Sequence, residues 1–161
     1  SLPLSVVVYR SKFDVWKPAA HIGTFRGNQL AMAAGLATLR YIKANDLPGH
    51  AERVGARLRE RLEELQSRVV QIGDVRGRGL MLGVEIVDAG KEADRLGHSP
   101  ANPQLASRIQ RECLRRGLIL EVGGRHSAVM RFLPPLIVTE TDIDEIARIF
   151  GEAVHAACAA E

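Results

Sequence analysis

Hydrophobic spacing divides this chain into helices and strands before any residue chemistry is considered. Leu30, Ala33, Ala34, Ala37 and Tyr41 recur at intervals of three and four, which predicts a helix to about Ala44 with one apolar face. Asn28 stands where its side-chain oxygen can accept a first-turn amide of that helix. The Asn45-Asp46-Leu47-Pro48 stretch breaks the pattern, and a strongly charged second helix runs to about Gln66 with Val54, Leu58, Leu62 and Leu65 as its buried stripe. Two β-rich runs, 69–75 and 80–87, flank Arg76-Gly77-Arg78-Gly79 and predict a hairpin or bent strand pair. Residues 88–102 read as loop, and a helix from about Pro103 to Arg116 ends at Gly117, a left-handed cap. Strands over 118–122 and 128–132 enclose the turn Gly123-Gly124-Arg125-His126. Thr139 caps a last helix over about 140–157.

The chain opens on Leu4-Ser5-Val6-Val7-Val8-Tyr9, an apolar run that reads as a buried strand, followed by a polar stretch anchored by Phe13 and Trp16. Starting in a core strand suggests a piece of a longer protein. Short strands clustered in the second half and covered by helices predict an α+β layered fold.

Composition narrows the function classes. The 161 residues are 46% hydrophobic and 25% charged, enough for a core in an ordinary soluble chain. The net charge is +3, but the densest basic segment, Arg53 to Arg61, is interleaved with Glu52, Glu60, Glu63 and Glu64, which is a solvated helix face and not a nucleic-acid surface. Two cysteines, Cys113 and Cys158, have no metal or redox spacing, and the five histidines are scattered singly, so no metal site is expected and a reduced, cytoplasmic setting fits. No apolar run reaches membrane-spanning length.

Three places carry possible chemistry. Gly23-Thr24 precedes the first helix, where a glycine permits close backbone approach, a hydroxyl donates, and helix amides favour an anion; a capped turn and a phosphate seat both fit. Arg131 lies inside the apolar strand "AVMRFLPPLIV" beside the Pro134-Pro135 pair. A guanidinium buried there needs an anionic partner, either a structural carboxylate or a carboxylate-bearing substrate. The Arg76-Gly77-Arg78-Gly79 turn reads as a solvated hairpin with basic tips. Glu85 reads as an arginine partner, while His21, His126 and Trp16 read as packing or surface residues.

The segments "SLPLSVVVYR", "HIGTFRGNQLAMAAG", "VRGRGLMLGVEIV", "RGLILEVGG" and "MRFLPPLIVTETDID" together resemble, in order, the C-terminal portion of class III aminotransferases, pyridoxal-phosphate enzymes of fold type I. The resemblance implies that residues 1–45 end a cofactor-binding large domain and that residues 46–161 form the C-terminal small domain, with helices on a short, mostly antiparallel sheet. It implies that Gly23 and Thr24 contact the cofactor phosphate of the neighbouring subunit in a homodimer, and that Arg131 holds the substrate α-carboxylate. The Schiff-base lysine of the family lies upstream of the segment matching Ser1. Lys12, Lys17, Lys43 and Lys91 do not match it, so the chain alone is expected to be inactive. Phe25-Arg26-Gly27-Asn28-Gln29 is most similar to the members that pass the terminal amine of diaminobutyrate to 2-oxoglutarate, in siderophore or ectoine precursor supply. Ornithine, acetylornithine and 4-aminobutyrate enzymes, or a non-catalytic dimerisation or small-molecule-binding module, are the alternatives.

Overall fold

The computed structural model describes residues 2–20 and 22–159, and the chain divides into two compact units after Asp46.

In the first unit, helix α1 (Gln29–Ala44) begins as its sequence predicts, with the Ala31 amide donating to Asn28 Oδ1 at 3.0 Å. Three expectations fail here. Residues 4–9 form no strand, and Val8 is 91% exposed, because a strand exists only through hydrogen bonds to another strand and none among the described residues pairs with this one. The apolar face of α1 is also uncovered: Ala31 is its one buried residue, while Leu30 and Tyr41 are exposed. Phe13, in a 3₁₀ turn over Ser11–Phe13, and Trp16 are exposed and do not act as core anchors.

The second unit contains a complete two-layer core. Helix α2 (Leu47–Gln66) buries Val54, Leu58 and Leu62, with Leu65 packed at the margin. Strands β1 (Ile72–Arg78) and β2 (Met81–Ile86) form the hairpin, and helix α3 (Pro103–Arg115) buries Leu105, Ala106, Ile109 and Cys113. Strands β3 (Glu121–Gly123) and β4 (Val129–Phe132) follow, then helix α4 (Glu140–Ala159). The sheet is antiparallel throughout in the order β1-β2-β4-β3. Period-two alternation sends Leu82, Val84, Ile86, Met130 and Phe132 into the helix layer, where Phe132 meets Phe150 edge-on with ring centroids 5.1 Å apart. Gly83, Glu85 and Arg131 point to the opposite, open face. Burial pushes the Cys113 thiol up to about 11, so it behaves as a small apolar core residue.

Helix ends follow local chemistry. Asn102 accepts the Leu105 amide at 2.9 Å, and Gly117 adopts φ +86° after α3. Thr139 Oγ1 accepts the Asp142 amide at 3.2 Å while Asp142 Oδ2 accepts the Thr139 amide at 2.9 Å, a reciprocal cap at the start of α4. No helix among the described residues is long and apolar enough to cross a membrane.

Helices α2 and α4 are also joined by charge. Arg57 donates through Nε and Nη2 to the two oxygens of Asp144 at 2.9 and 2.6 Å, and Arg61 Nε lies 3.4 Å away. The hydrogen bond from Arg57, then its charge, hold the Asp144 carboxyl below its ordinary 3.8. A lowered folded value means that the stabilisation is present above pH 3.8 and is lost as pH falls through the folded value. The difference in Tm between wild type and Asp144→Asn is therefore expected to be small, since the pair is exposed, and to close as thermal melts are repeated at lower pH. A gap that persists unchanged in acid would remove Asp144 from this role.

Candidate functional site: an anion turn and an arginine on the open sheet face

The first unit carries Gly23 and Thr24 in a turn closed by the Arg26 amide donating to the Gly23 carbonyl at 3.1 Å. A Cβ on Gly23 would stand 3.3 Å from Arg26 Cγ, so the bare glycine is what lets the arginine stem fold over the turn. Gly27 adopts φ +71°, which redirects the chain into α1, and the first turn of α1 carries no acidic side chain. A hydroxyl, turn amides and the positive end of a sixteen-residue helix thus occupy a short stretch of backbone. That donor set fits a phosphate. An open cavity of about 1210 Å³ in this unit also has Gly23, Thr24 and Asn28 on its wall, together with Tyr9, Trp16 and Met32. His21 lies outside the described residues.

Arg131 belongs to the second unit. The expectation of a buried guanidinium is corrected by the register. Met130 and Phe132 face the core, whereas Arg131 points to the open face with its side chain 42% exposed. Its Nη1 stands 3.0 Å from Oε2 of Glu121, the residue directly opposite on β3. The structural ion pair that the sequence leaves open is thus present, on a surface that solvent and solutes reach. Gly123, two residues along β3, makes room for it: a Cβ there would lie 3.2 Å from Arg131 Cδ and 3.6 Å from Nη1.

Glu121 and Gly123 are not identifiable by residue type alone. Their signal is the hairpin register, since Glu121 and Arg131 are equidistant from the turn centred on Arg125–Ser127. That turn is tighter than its glycines alone suggest, with His126 and Ser127 both at positive φ and both exposed.

In the Arg76-Gly77-Arg78-Gly79 segment both arginines are exposed at the β1–β2 hairpin, as its sequence suggests, but Arg76 is held by carboxylates. Arg76 Nη1 donates to Asp74 Oδ2 at 2.7 Å and to Glu85 Oε2 at 2.6 Å, which gives Glu85 the arginine-partner role its sequence position suggests. These two carboxylates, Asp74 first, raise the Arg76 pKa. Leu80, at the turn, is buried. Exposed Trp16 belongs to the first unit. Among the described residues no group of three or more His, Cys, Asp or Glu could hold a metal ion.

Similarity to known proteins supplies the family. Residues 2–154 match the family model for class-III aminotransferases. A diaminobutyrate–2-oxoglutarate aminotransferase of Rhizobium meliloti is 52% identical over 152 residues, which are 94% of this chain and 32% of that protein. One from Haemophilus influenzae is 43% identical over 96% of this chain and 34% of its own length. Among solved structures, the PLP-bound amine transaminase of an uncultivated Pseudomonas species superposes with a TM-score of 0.70 at 35% identity, covering 86% of this chain and 29% of that one. The chain spans about a third of the length of the curated relatives it matches. An α+β chain with these motifs in order, matched over nearly all its residues, belongs to the class-III aminotransferase family.

Proposed function

We propose that this chain supplies the C-terminal third of a homodimeric, pyridoxal-phosphate-dependent transaminase. The reaction moves the terminal amino group of L-2,4-diaminobutyrate to 2-oxoglutarate, giving aspartate 4-semialdehyde and glutamate. Residues 1–45 close the cofactor-binding domain and residues 46–161 form the small domain. The observation that carries the reading is identity of 52% and 43%, over nearly the whole chain, to two proteins named for that reaction.

When bound, pyridoxal phosphate supplies the amine carrier and the electron sink. The residues of this chain bind and orient. Thr24 would hold the cofactor phosphate by a hydrogen bond from its hydroxyl, and Gly23 would let the backbone come close to it. Arg131 presents a planar fork to the substrate carboxylate and so fixes which end of the substrate faces the reacting centre. The reactive lysine belongs to the upstream part, so the 161-residue chain alone is expected to be inactive.

The test is made on the complete polypeptide, this chain preceded by the upstream two thirds that its relatives carry. Glutamate formation from 2-oxoglutarate is expected with diaminobutyrate, and at a lower kcat/KM with ornithine, acetylornithine or 4-aminobutyrate as donor. No glutamate from any donor would sink the reading. In the same polypeptide, Thr24→Val removes one hydrogen bond to a charged group and is expected to weaken pyridoxal phosphate by roughly tenfold or more, followed by titrating the visible absorbance of the bound cofactor. An unchanged dissociation constant would take Thr24 out of the phosphate seat.

A further inference from the structure

Strand β1 is a seven-residue edge of the sheet, and no strand among the described residues covers its outer side. The opposite edge, β3, is three residues long and offers another strand little to pair with. On β1, three alternate carbonyls meet side chains of α2. Arg59 donates through Nη2 to the Gly77 carbonyl at 2.5 Å and through Nη1 to the Val75 carbonyl at 3.3 Å. Gln66 Nε2 donates to the Gly73 carbonyl at 3.1 Å. In an antiparallel ladder, alternate residues bond to one neighbour and the residues between them face the other way. Residues 73, 75 and 77 are the outward set of β1, and Arg76, paired with Gly83, belongs to the inward one. Glu63, one turn along α2, stands 3.5 Å from Arg59 Nη1 and orients the guanidinium from behind.

We propose that Arg59 and Gln66 keep the β1 edge closed, and that the strand they exclude is β1 of a second copy of this chain. A further strand would lie about 4.8 Å from β1, in space that the guanidinium and the carboxamide take up. Its amides would also need the carbonyls of residues 73, 75 and 77 as acceptors. Charge identifies the excluded strand. When two antiparallel β1 strands are centred on Val75, Asp74 of each copy lies opposite Arg76 of the other, and Gly73 lies opposite Gly77. Outward groups then meet outward groups along the whole contact. The pairing is two-fold symmetric, so a single register suits both copies. Gly73 and Gly77 bring no side chain to hinder the approach, which leaves the obstruction to α2. A long edge without such cover is a template for association.

The test combines Arg59→Ala and Gln66→Ala in the complete polypeptide and follows molecular mass by light scattering over a dilution series. At the concentrated end the double variant is expected to exceed wild type by about twofold or more, and to return to the wild-type mass on dilution. Adding Asp74→Lys sets like charges opposite each other in the same register and is expected to abolish the excess. That reversal separates edge pairing from clumping of unfolded chain, which a surface charge on β1 would not undo; far-UV circular dichroism checks the fold of each variant. Should the double variant not fold, Arg59→Leu keeps the apolar stem, removes the donors and carries the same expectation. A folded variant with wild-type mass at every concentration would overturn the guarding role. Association that Asp74→Lys leaves unaltered would overturn the pairing of β1 with β1.

Discussion

Replacing Arg131 with alanine in the complete polypeptide is expected to raise the KM for 2-oxoglutarate and for the amino donor by roughly 100-fold, with a much smaller loss in kcat. Hydrogen bonds to a charged group contribute about 1.5–3 kcal/mol each, and a fork makes two. The lower end applies, because Arg131 stands on an exposed sheet face and water refills the space its side chain leaves. About 2.7 kcal/mol corresponds to the hundredfold change. The loss falls on KM because the carboxylate does not change charge during amine transfer, so the arginine binds ground state and transition state alike. Arg131→Lys keeps the charge and loses the fork, and is expected to fall between the two. Steady-state kinetics with both substrates decides it: an unchanged KM in the alanine variant removes Arg131 from the site.

The parts of the molecule legible in the sequence are those fixed by neighbours a few residues away. The Val54-Leu58-Leu62 stripe, the Asn28 and Asn102 caps and the Thr139–Asp142 pair all work within one or two turns of chain. The hairpin of β1 and β2 is legible for the same reason. What local pattern does not reveal depends on partners. The run over 4–9 has the composition of a strand and forms none, since composition cannot supply the second strand. β3 starts later than its apolar run suggests because α3 takes that run's backbone groups first. The Leu118 amide donates to the Cys113 carbonyl at 2.9 Å, and the Leu120 carbonyl accepts Gln110 Nε2 at 2.8 Å. Pairing with β4 therefore begins at Glu121, which is why Glu121 and not a neighbour faces Arg131. The candidate site is half legible. Gly23, Thr24 and Arg131 stand out by type, whereas Glu121 and Gly123 acquire meaning only once the register is known.

Thermal unfolding of Gly55→Ala should show the largest stability loss of any single-methyl change on α2, about 1–3 kcal/mol, and a Tm lower by on the order of 10 °C for a unit of this size. Two effects of opposite sign compete. Alanine in a helix interior is favoured over glycine by about 1 kcal/mol. Against that, a Cβ on Gly55 would land on the Gly79 carbonyl and lie 2.8 Å from Gly79 Cα. The obstacle is backbone, and it cannot swing aside, because Gly79 is fixed at φ +53° by the turn and Leu80 beside it is buried in the core. Relief would require α2 to retreat from the β1–β2 turn, opening the contacts of Val54 and Leu58, and loss of close packing there outweighs the propensity gain. Gly151→Ala on α4 separates the two effects. A Cβ at that site meets Leu65 Cδ1 at an ordinary 3.8 Å, so only the propensity gain remains and the Tm should rise by a few degrees. Far-UV circular dichroism melts of both variants make the comparison. If Gly55→Ala melts at or above the wild-type temperature, close approach of α2 to the turn is not what holds the unit together.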